Sequence, residues 1–294
     1  MRLGTIYILG RLYVKNLTAS TKEPSVPAAP TAFSPVNVSS VYVTDAAAAI
    51  VKSSTAEKLV AIGAACSHQL AQRGVHLALT YSSNLISINE LVTELQSRYA
   101  ENKLHISTHK VDVGSADQIE NLFQEIDTQH GQRPDILISN AGYGKRITNI
   151  WDIPLEEFDY MLNVNLRASF VLVKGVVEHM MAQRWGRIVF MSSIAAYGGG
   201  INGCHYAASK GGLMGMMKNL STRLAEYNIS VNDVAPAMIG DTGMVPNASA
   251  IQDTVATIPL GRLGTPEETA NVVMMLVTTG YMTGQSLVLS GGLK

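Results

Sequence analysis

Short apolar runs alternate with amphipathic stretches along most of this chain. The runs "VHLALTY" (75–81), "LHISTHKVDV" (104–113), "DILISNAG" (135–142), "GRIVFMSS" (186–193), "ISVNDVAP" (229–236) and "QSLVLSGG" (285–292) have the length and β-branched content of strands. Their near-continuous apolar character fits strands covered on both faces, as in a parallel sheet. Between them lie helical patterns. "GAACSHQLAQRG" (63–74) closes on a glycine suited to a helix C-terminus. "NELVTELQSRYA" (89–100) is amphipathic, and "SADQIENLFQEIDTQH" (115–130) opens on a capping serine. Residues 154–184 form one long helical pattern with proline first and acids in the first turn, and "PEETANVVMMLVTT" (266–279) repeats that opening.

Strand and helix alternating in this way predict an α/β fold: a doubly wound parallel sheet of the Rossmann type in a single domain, residues 41–294. Ahead of it, residues 20–40 carry four prolines among small polar residues, so 1–40 read as a disordered or processed arm. The first strand has two candidates, "SSVYVT" (39–44) and "KLVAI" (58–62).

Composition narrows the partners. Of the 294 residues 47% are hydrophobic and 15% charged, enough for one large core, and the formal net charge of −1 gives no electrostatic reason to expect nucleic acid or an acidic membrane. No run reaches the ~18 uncharged apolar residues of a membrane span. The two cysteines, Cys66 and Cys204, are too few for a disulfide framework and have no metal-ligand spacing, so no metal is expected. The cytoplasm is the expected location. Four basic residues precede the first acid, Glu23, which is compatible with a transit peptide and makes the mitochondrial matrix the alternative.

Chemistry concentrates around "CHYAASKGGLMGM". Tyr206 and Lys210 stand at i, i+4, on one face of a helix. An ammonium beside a phenol favours the phenolate, lowering its pKa from ~10 toward working pH, as a general acid for carbonyl reduction requires. Such a pair alone is common on solvated helix faces. Its context adds Ser193, thirteen residues earlier at the end of a strand run, where parallel sheets form their ligand crevice. Asn165 lies inside an apolar helix pattern, where an amide needs a partner, and Asn140-Ala141-Gly142 ends another strand with small residues that admit a ligand to the backbone. His205 and Cys204 read as fillers beside the tyrosine, and the Met-rich runs as packing.

At these residues the chain resembles the short-chain dehydrogenase/reductases, and within them the 3-oxoacyl-(acyl-carrier-protein) reductases. "NAG" (140–142), "VNL" (164–166), "SS" (192–193), "YAASK" (206–210), "VNDVAP" (231–236), "PLGRLGTPEETA" (259–270) and "TGQSLVLSGG" (283–292) occur in the family's order, from about Ala61 to the end. The resemblance implies that Tyr206 donates the proton, Ser193 orients the carbonyl, Lys210 binds the nicotinamide ribose and Asn165 holds a relay water. It implies that Asp112 and Val113 meet the adenine, that Asn140, Ala141 and Gly142 line the adenosine, and that the Ile239 backbone, between Pro236 and Thr242, holds the carboxamide. The second strand ends in Tyr81, Ser82 and Ser83 without an acid to accept a ribose 2′-hydroxyl, so NADPH (NADP) is the expected cofactor. The implied substrate is a 3-oxoacyl thioester or another small ketone, with an acyl carrier protein as possible donor, and the implied assembly is a homotetramer. Arg184 and Arg187 are candidates to meet an acidic carrier, although arginines before a strand are usually a solvated strand end.

Three positions depart from the family pattern. Pro236 is followed by Ala237 where glycine is usual, and Ser290 replaces an aspartate. Most consequentially, the family's Thr-Gly-x-x-x-Gly-x-Gly phosphate loop is missing: only Gly63 survives, with no glycine from 44 to 62. Glycines there let backbone N–H groups approach the pyrophosphate at a helix N-terminus. A mis-joined gene near residue 60 explains the gap; a non-catalytic scaffold that keeps the fold is the alternative.

Overall fold

The computed structural model describes the backbone of residues 41–43 and all of 61–198, 201–245 and 255–293. Seven strands pair in parallel in the order β3-β2-β1-β4-β5-β6-β7. They are β1 (Val41–Val43), β2 (Leu77–Tyr81), β3 (Ile106–Lys110), β4 (Ile136–Ser139), β5 (Gly186–Met191), β6 (Ile229–Pro236) and β7 (Ser286–Leu289). Between them run α1 (Ile62–Ala71), α2 (Leu85–Arg98), α3 (Ala116–His130), α4 (Leu155–Leu162), α5 (Ala168–Gln183), α6 (Cys204–Leu224) and α7 (Pro266–Thr278). The expected doubly wound sheet is present. The arm 1–40 lies outside the described residues.

The strand order reverses at β1, which pairs with β2 on one side and β4 on the other. Of the two candidates the structure selects "SSVYVT". "KLVAI" is excluded as the first strand at its end, because Ala61 is the N-cap of α1 and Ile62 its first residue. Gly63, expected in a loop, is instead buried in the first turn of α1, where its carbonyl accepts the Ser67 hydroxyl at 2.8 Å. Residues 44–60, which hold the rest of the expected phosphate loop, are not described.

Two apolar layers cover the sheet. Leu70, Ile88, Leu95, Val273 and Leu276, from α1, α2 and α7, close one face over Leu77, Leu79 and Ile138. Phe123, Leu172, Val176, Leu213 and Met217, from α3, α5 and α6, close the other over Leu137, Ile188 and Phe190. The methionines read as packing divide: Met180, Met217 and Met274 are buried, whereas Met275 is exposed.

Helix ends follow the local signals. Ser115 caps α3 by accepting Gln118 N–H, and Gly131 ends that helix at φ 75°. Thr265 and Glu268 form a capping box at α7, with proline at its first turn. α1 stops at Ala71, and the chain reverses at Gly74, whose φ of 77° favours glycine. The helical pattern of 154–184 is not one α-helix: a π-turn over Asn163–Arg167 separates α4 from α5. Such a turn inserts a residue without breaking the helix and often lies at a functional site.

Candidate active site

The carboxyl ends of β4 and β5, the π-turn and the start of α6 converge on one crevice, as expected where a parallel sheet changes its winding direction. Ser193 follows β5 and caps a short 3₁₀ turn, its Oγ accepting Ala195 N–H at 3.2 Å. Tyr206 rises from the first turn of α6, 5% exposed, with Ser193 near its phenol. Lys210, one turn on and 3% exposed, donates from Nζ to the carbonyl of Met191 at 2.9 Å.

The charge states differ from the sequence expectation. Burial pushes the Tyr206 phenol up from its ordinary value, with only Ser193 acting to lower it. The lysine does not depress the phenol, because its Nζ is held on a β5 carbonyl and stands 5.8 Å from the ring centroid. Burial in turn brings Lys210 down to about 8, opposed by the charge of Asp233.

The π-turn aims Asn165 inward, fully buried. Its Oδ1 accepts Tyr143 N–H at 2.7 Å, while Nδ2 donates to the Tyr143 carbonyl at 2.9 Å and to Ser209 Oγ at 3.0 Å. Asn165 thus clamps the backbone just after Asn140-Ala141-Gly142. At Gly142 a Cβ would stand 3.3 Å from Lys210 Nζ, a tight approach, and 3.5 Å from Asn165 Oδ1, an ordinary contact. At Gly144 a Cβ would meet Met244 at 3.3 Å and the Tyr206 ring at 3.5 Å, which marks a narrow passage to the phenol.

The other expected cofactor residues lie along the same edge. Tyr81 ends β2, and Ser82 and Ser83 follow it exposed. Exposed Asp112 accepts Gly114 N–H at 2.9 Å, and half-buried Val113 packs against the α3/α5/α6 layer. Pro236 ends β6; beyond it the buried Ile239 bridges to Gly264, and its carbonyl accepts the Thr242 hydroxyl at 3.0 Å. Ala237 is not among the residues of positive φ, whereas Met238 after it adopts φ 54°.

Sequence reasoning missed three neighbours. Lys145 bonds Glu157 of α4 at 2.7 Å; burial and the neighbouring Glu157 push the Tyr143 phenol up, while Lys145 holds Glu157 below its ordinary value. Asp233, wholly buried in β6, carries the clearest overlooked signal: a charge inside the apolar run "ISVNDVAP". His205 fits its filler role only by burial, since neither ring nitrogen has a partner among the described residues. Cys204 is exposed, whereas the buried Cys66 thiol is pushed up to about 12 and is inert. Among the described residues no cluster of metal-ligating side chains occurs and no helix is long and apolar enough to cross a membrane.

A strand-order reversal at β1 with a serine, tyrosine and lysine at the carboxyl ends of β4 and β5 defines a class of nucleotide-dependent oxidoreductase. Comparison with known proteins gives its family. The family model described as enoyl-(acyl carrier protein) reductase matches residues 57–294, and the chain belongs to the short-chain dehydrogenase/reductase family, oxidoreductases acting on CH–OH groups with NAD(P). It is 33% identical over 236 residues to the 3-oxoacyl-[acyl-carrier-protein] reductase FabG of Rickettsia bellii, covering 79% of this chain and 92% of that protein. It is 35% identical over 236 residues to dehydrogenase/reductase SDR family member 4 of Bos taurus, covering 79% and 82%. Among solved structures, a 3-oxoacyl-[acyl-carrier protein] reductase of Brucella melitensis with bound NAD superposes with TM-score 0.72 at 27% identity, covering 87% of this chain and 90% of that one. A double mutant of a Serratia marcescens short-chain dehydrogenase/reductase also gives 0.72, at 28% identity, covering 86% and 97%.

The described residues fit a nicotinamide nucleotide on its ribose side. The small residues at 140–142 leave the backbone open, and Gly142 marks a cradle that a Cβ would fill beside Lys210. The diphosphate side would fall in 44–60, outside the described residues.

Proposed function

We propose that this protein reduces the ketone of a 3-oxoacyl thioester to a secondary alcohol with NADPH. The carrying observation is that Ser193, Tyr206 and Lys210 are buried together where the end of β5 meets the start of α6, with Lys210 one helical turn from Tyr206. When bound, the nicotinamide supplies the hydride that reaches the carbonyl carbon. The chain's own groups do the rest. Ser193 Oγ donates to the carbonyl oxygen and holds it against Tyr206. The Tyr206 hydroxyl gives that oxygen its proton; a phenol raised by burial is the protonated form a general acid needs in reduction. Lys210, one helical turn on and held at the Met191 carbonyl, would bind the nicotinamide ribose. Asn165 keeps 142–144 in place and so sets the floor of the passage.

NADPH rather than NADH is supported by the end of β2, where exposed Ser82 and Ser83 can donate to a 2′-phosphate and no acid stands to accept a 2′-hydroxyl. The thioester class is supported by the FabG relatives, whose names state that activity for those proteins. A carrier protein would not dock through Arg184 and Arg187. Both stand before or at the amino end of β5, away from the crevice, Arg184 bonding the Glu226 carbonyl and Arg187 lying buried over Trp185. We place the enzyme in the cytoplasm, with the mitochondrial matrix as alternative. Its assembly is a homotetramer, supported by the exposed Leu155, Tyr160 and Phe170 on α4 and α5.

One observation favours a second reading, a scaffold without catalysis: residues 44–62 contain no glycine to admit the diphosphate. Titration with NADPH, followed by nicotinamide fluorescence, separates the two. Binding together with NADPH oxidation dependent on a 3-oxoacyl thioester supports the reductase; absence of both in folded protein supports the scaffold.

A further inference from the structure

Asp233 lies in the middle of β6, wholly buried, between Phe190 of β5 and Ser286 of β7. Side chains alternate along a strand, so it shares a face with Val231, which belongs to the layer under α5 and α6. α6, the helix that carries Tyr206 and Lys210, packs over this strand. Oδ1 accepts the Ser286 hydroxyl at 2.5 Å, but Oδ2 is buried with no partner among the described residues. A buried carboxylate oxygen without a donor is costly, and such groups are rare in folded proteins.

Two ammonium groups act on this carboxylate, both from α6. Lys218 is exposed and spends its Nζ on the Gly284 carbonyl. Lys210 is buried and meets a single carbonyl, Met191 O, whose residue pairs with Val234 next to Asp233. From β5 the facing group is Phe190, and from β7 it is the uncharged Ser286.

We propose that Asp233 is the buried counter-charge of Lys210: a positioning residue that keeps the lysine protonated in a crevice whose dryness would otherwise neutralise it. The inference rests on the catalytic reading of Lys210 given above. Burial brings the lysine down to about 8, and Asp233 is the one charge acting against that fall. Burial raises Asp233 itself to about 6, with Ser286, Lys218 and Lys210 holding it down. Both groups are therefore ionised together between these values, across neutral pH.

The test uses the full chain labelled with ¹³C at lysine Cε, the Lys210 signal being assigned by its loss in Lys210→Arg. In Asp233→Asn, which keeps an acceptor for Ser286, the Lys210 midpoint is expected to fall by on the order of one unit. At pH 8 that reduces its charged fraction about fivefold. The basic limb of the NADPH oxidation rate should move down with it, a readout that a merely structural role would leave in place. A Lys210 midpoint unchanged in folded Asp233→Asn overturns the inference. Should Asp233→Asn not fold, Lys210→Met supplies the reciprocal test: the Asp233 carboxyl midpoint must rise above its wild-type value, and an unmoved midpoint also overturns the proposal. A shifted Lys210 titration in a protein without reductase activity would sink the proposed function while leaving the charge pairing standing.

Discussion

Spacing put Tyr206 and Lys210 on one helix face and Ser193 at a strand end, whereas their roles as a set were read from the family resemblance. Their protonation states were legible in neither. Spacing brings the lysine near the phenol, but the Met191 carbonyl decides where its ammonium points, and that carbonyl is a tertiary neighbour. Tyr206→Phe is expected to leave NADPH affinity within about twofold and lower the reduction rate by ~10²–10⁴, the usual cost of losing a general acid. Steady-state rates beside a fluorescence titration check this, and near-normal turnover in the variant would remove Tyr206 from the mechanism. Gly142→Ala is expected to weaken NADPH binding and slow turnover, because its Cβ would stand 3.3 Å from Lys210 Nζ and fill the space beside it. Isothermal titration of both proteins decides, with equal affinity contradicting the cradle.

Strands β2, β4, β5 and β6 follow the apolar runs closely, since buried parallel strands have no solvent face to blur the pattern, while the edge strands β3 and β7 are only partly buried. The first strand did not declare itself. "KLVAI" also reads as a strand, yet its last two residues are the N-cap and first residue of α1, and three residues at 41–43 take the place between β2 and β4. The π-turn was equally silent, because one inserted residue keeps the apolar rhythm on both sides. Four histidines gather at the β2–β3–α3 corner, unremarked in the sequence because they are far apart in it. His105 and His130 stack at 4.2 Å, and Ser107 Oγ bonds both His109 and His130 at 2.8 Å. Burial, then the neighbouring His105, His109 and His76, depress His130 to about 4. A histidine depressed in the folded state contributes stability above its unfolded pKa of ~6.5, lost as pH falls through that value toward 4. Melting temperature should therefore drop over that range, and His130→Gln should flatten the drop. An identical slope in the variant would clear this corner of any role.

For the whole molecule, two features decide whether the fold becomes an enzyme. Apolar residues at Leu155, Tyr160 and Phe170 leave one flank of the subunit open, and a second copy is the proposed cover. Light scattering at micromolar concentration should give a multimer, and Phe170→Asp should shift it toward the monomer. A monomeric mass in the unaltered protein would contradict the assembly. The other feature is the connection from β1 to α1. Each hydrogen bond from backbone N–H to an ionised diphosphate contributes about 1.5–3 kcal/mol, so lacking two or three costs roughly 3–9 kcal/mol, on the order of 10²- to 10⁶-fold in affinity. A Thr-Gly-x-x-x-Gly-Ile-Gly loop placed before Ala64 is accordingly expected to raise NADPH affinity by at least that lower factor. Both forms should fold alike by circular dichroism, since the described members of the two core layers all lie after residue 61.

The most direct measurement is NADPH oxidation by the loop-restored chain presented with a 3-oxoacyl thioester, with the 3-hydroxyacyl product quantified. The account predicts one alcohol formed per NADPH consumed, with both lost in Tyr206→Phe. Folded protein that binds NADPH tightly and turns over no 3-oxoacyl thioester would contradict it.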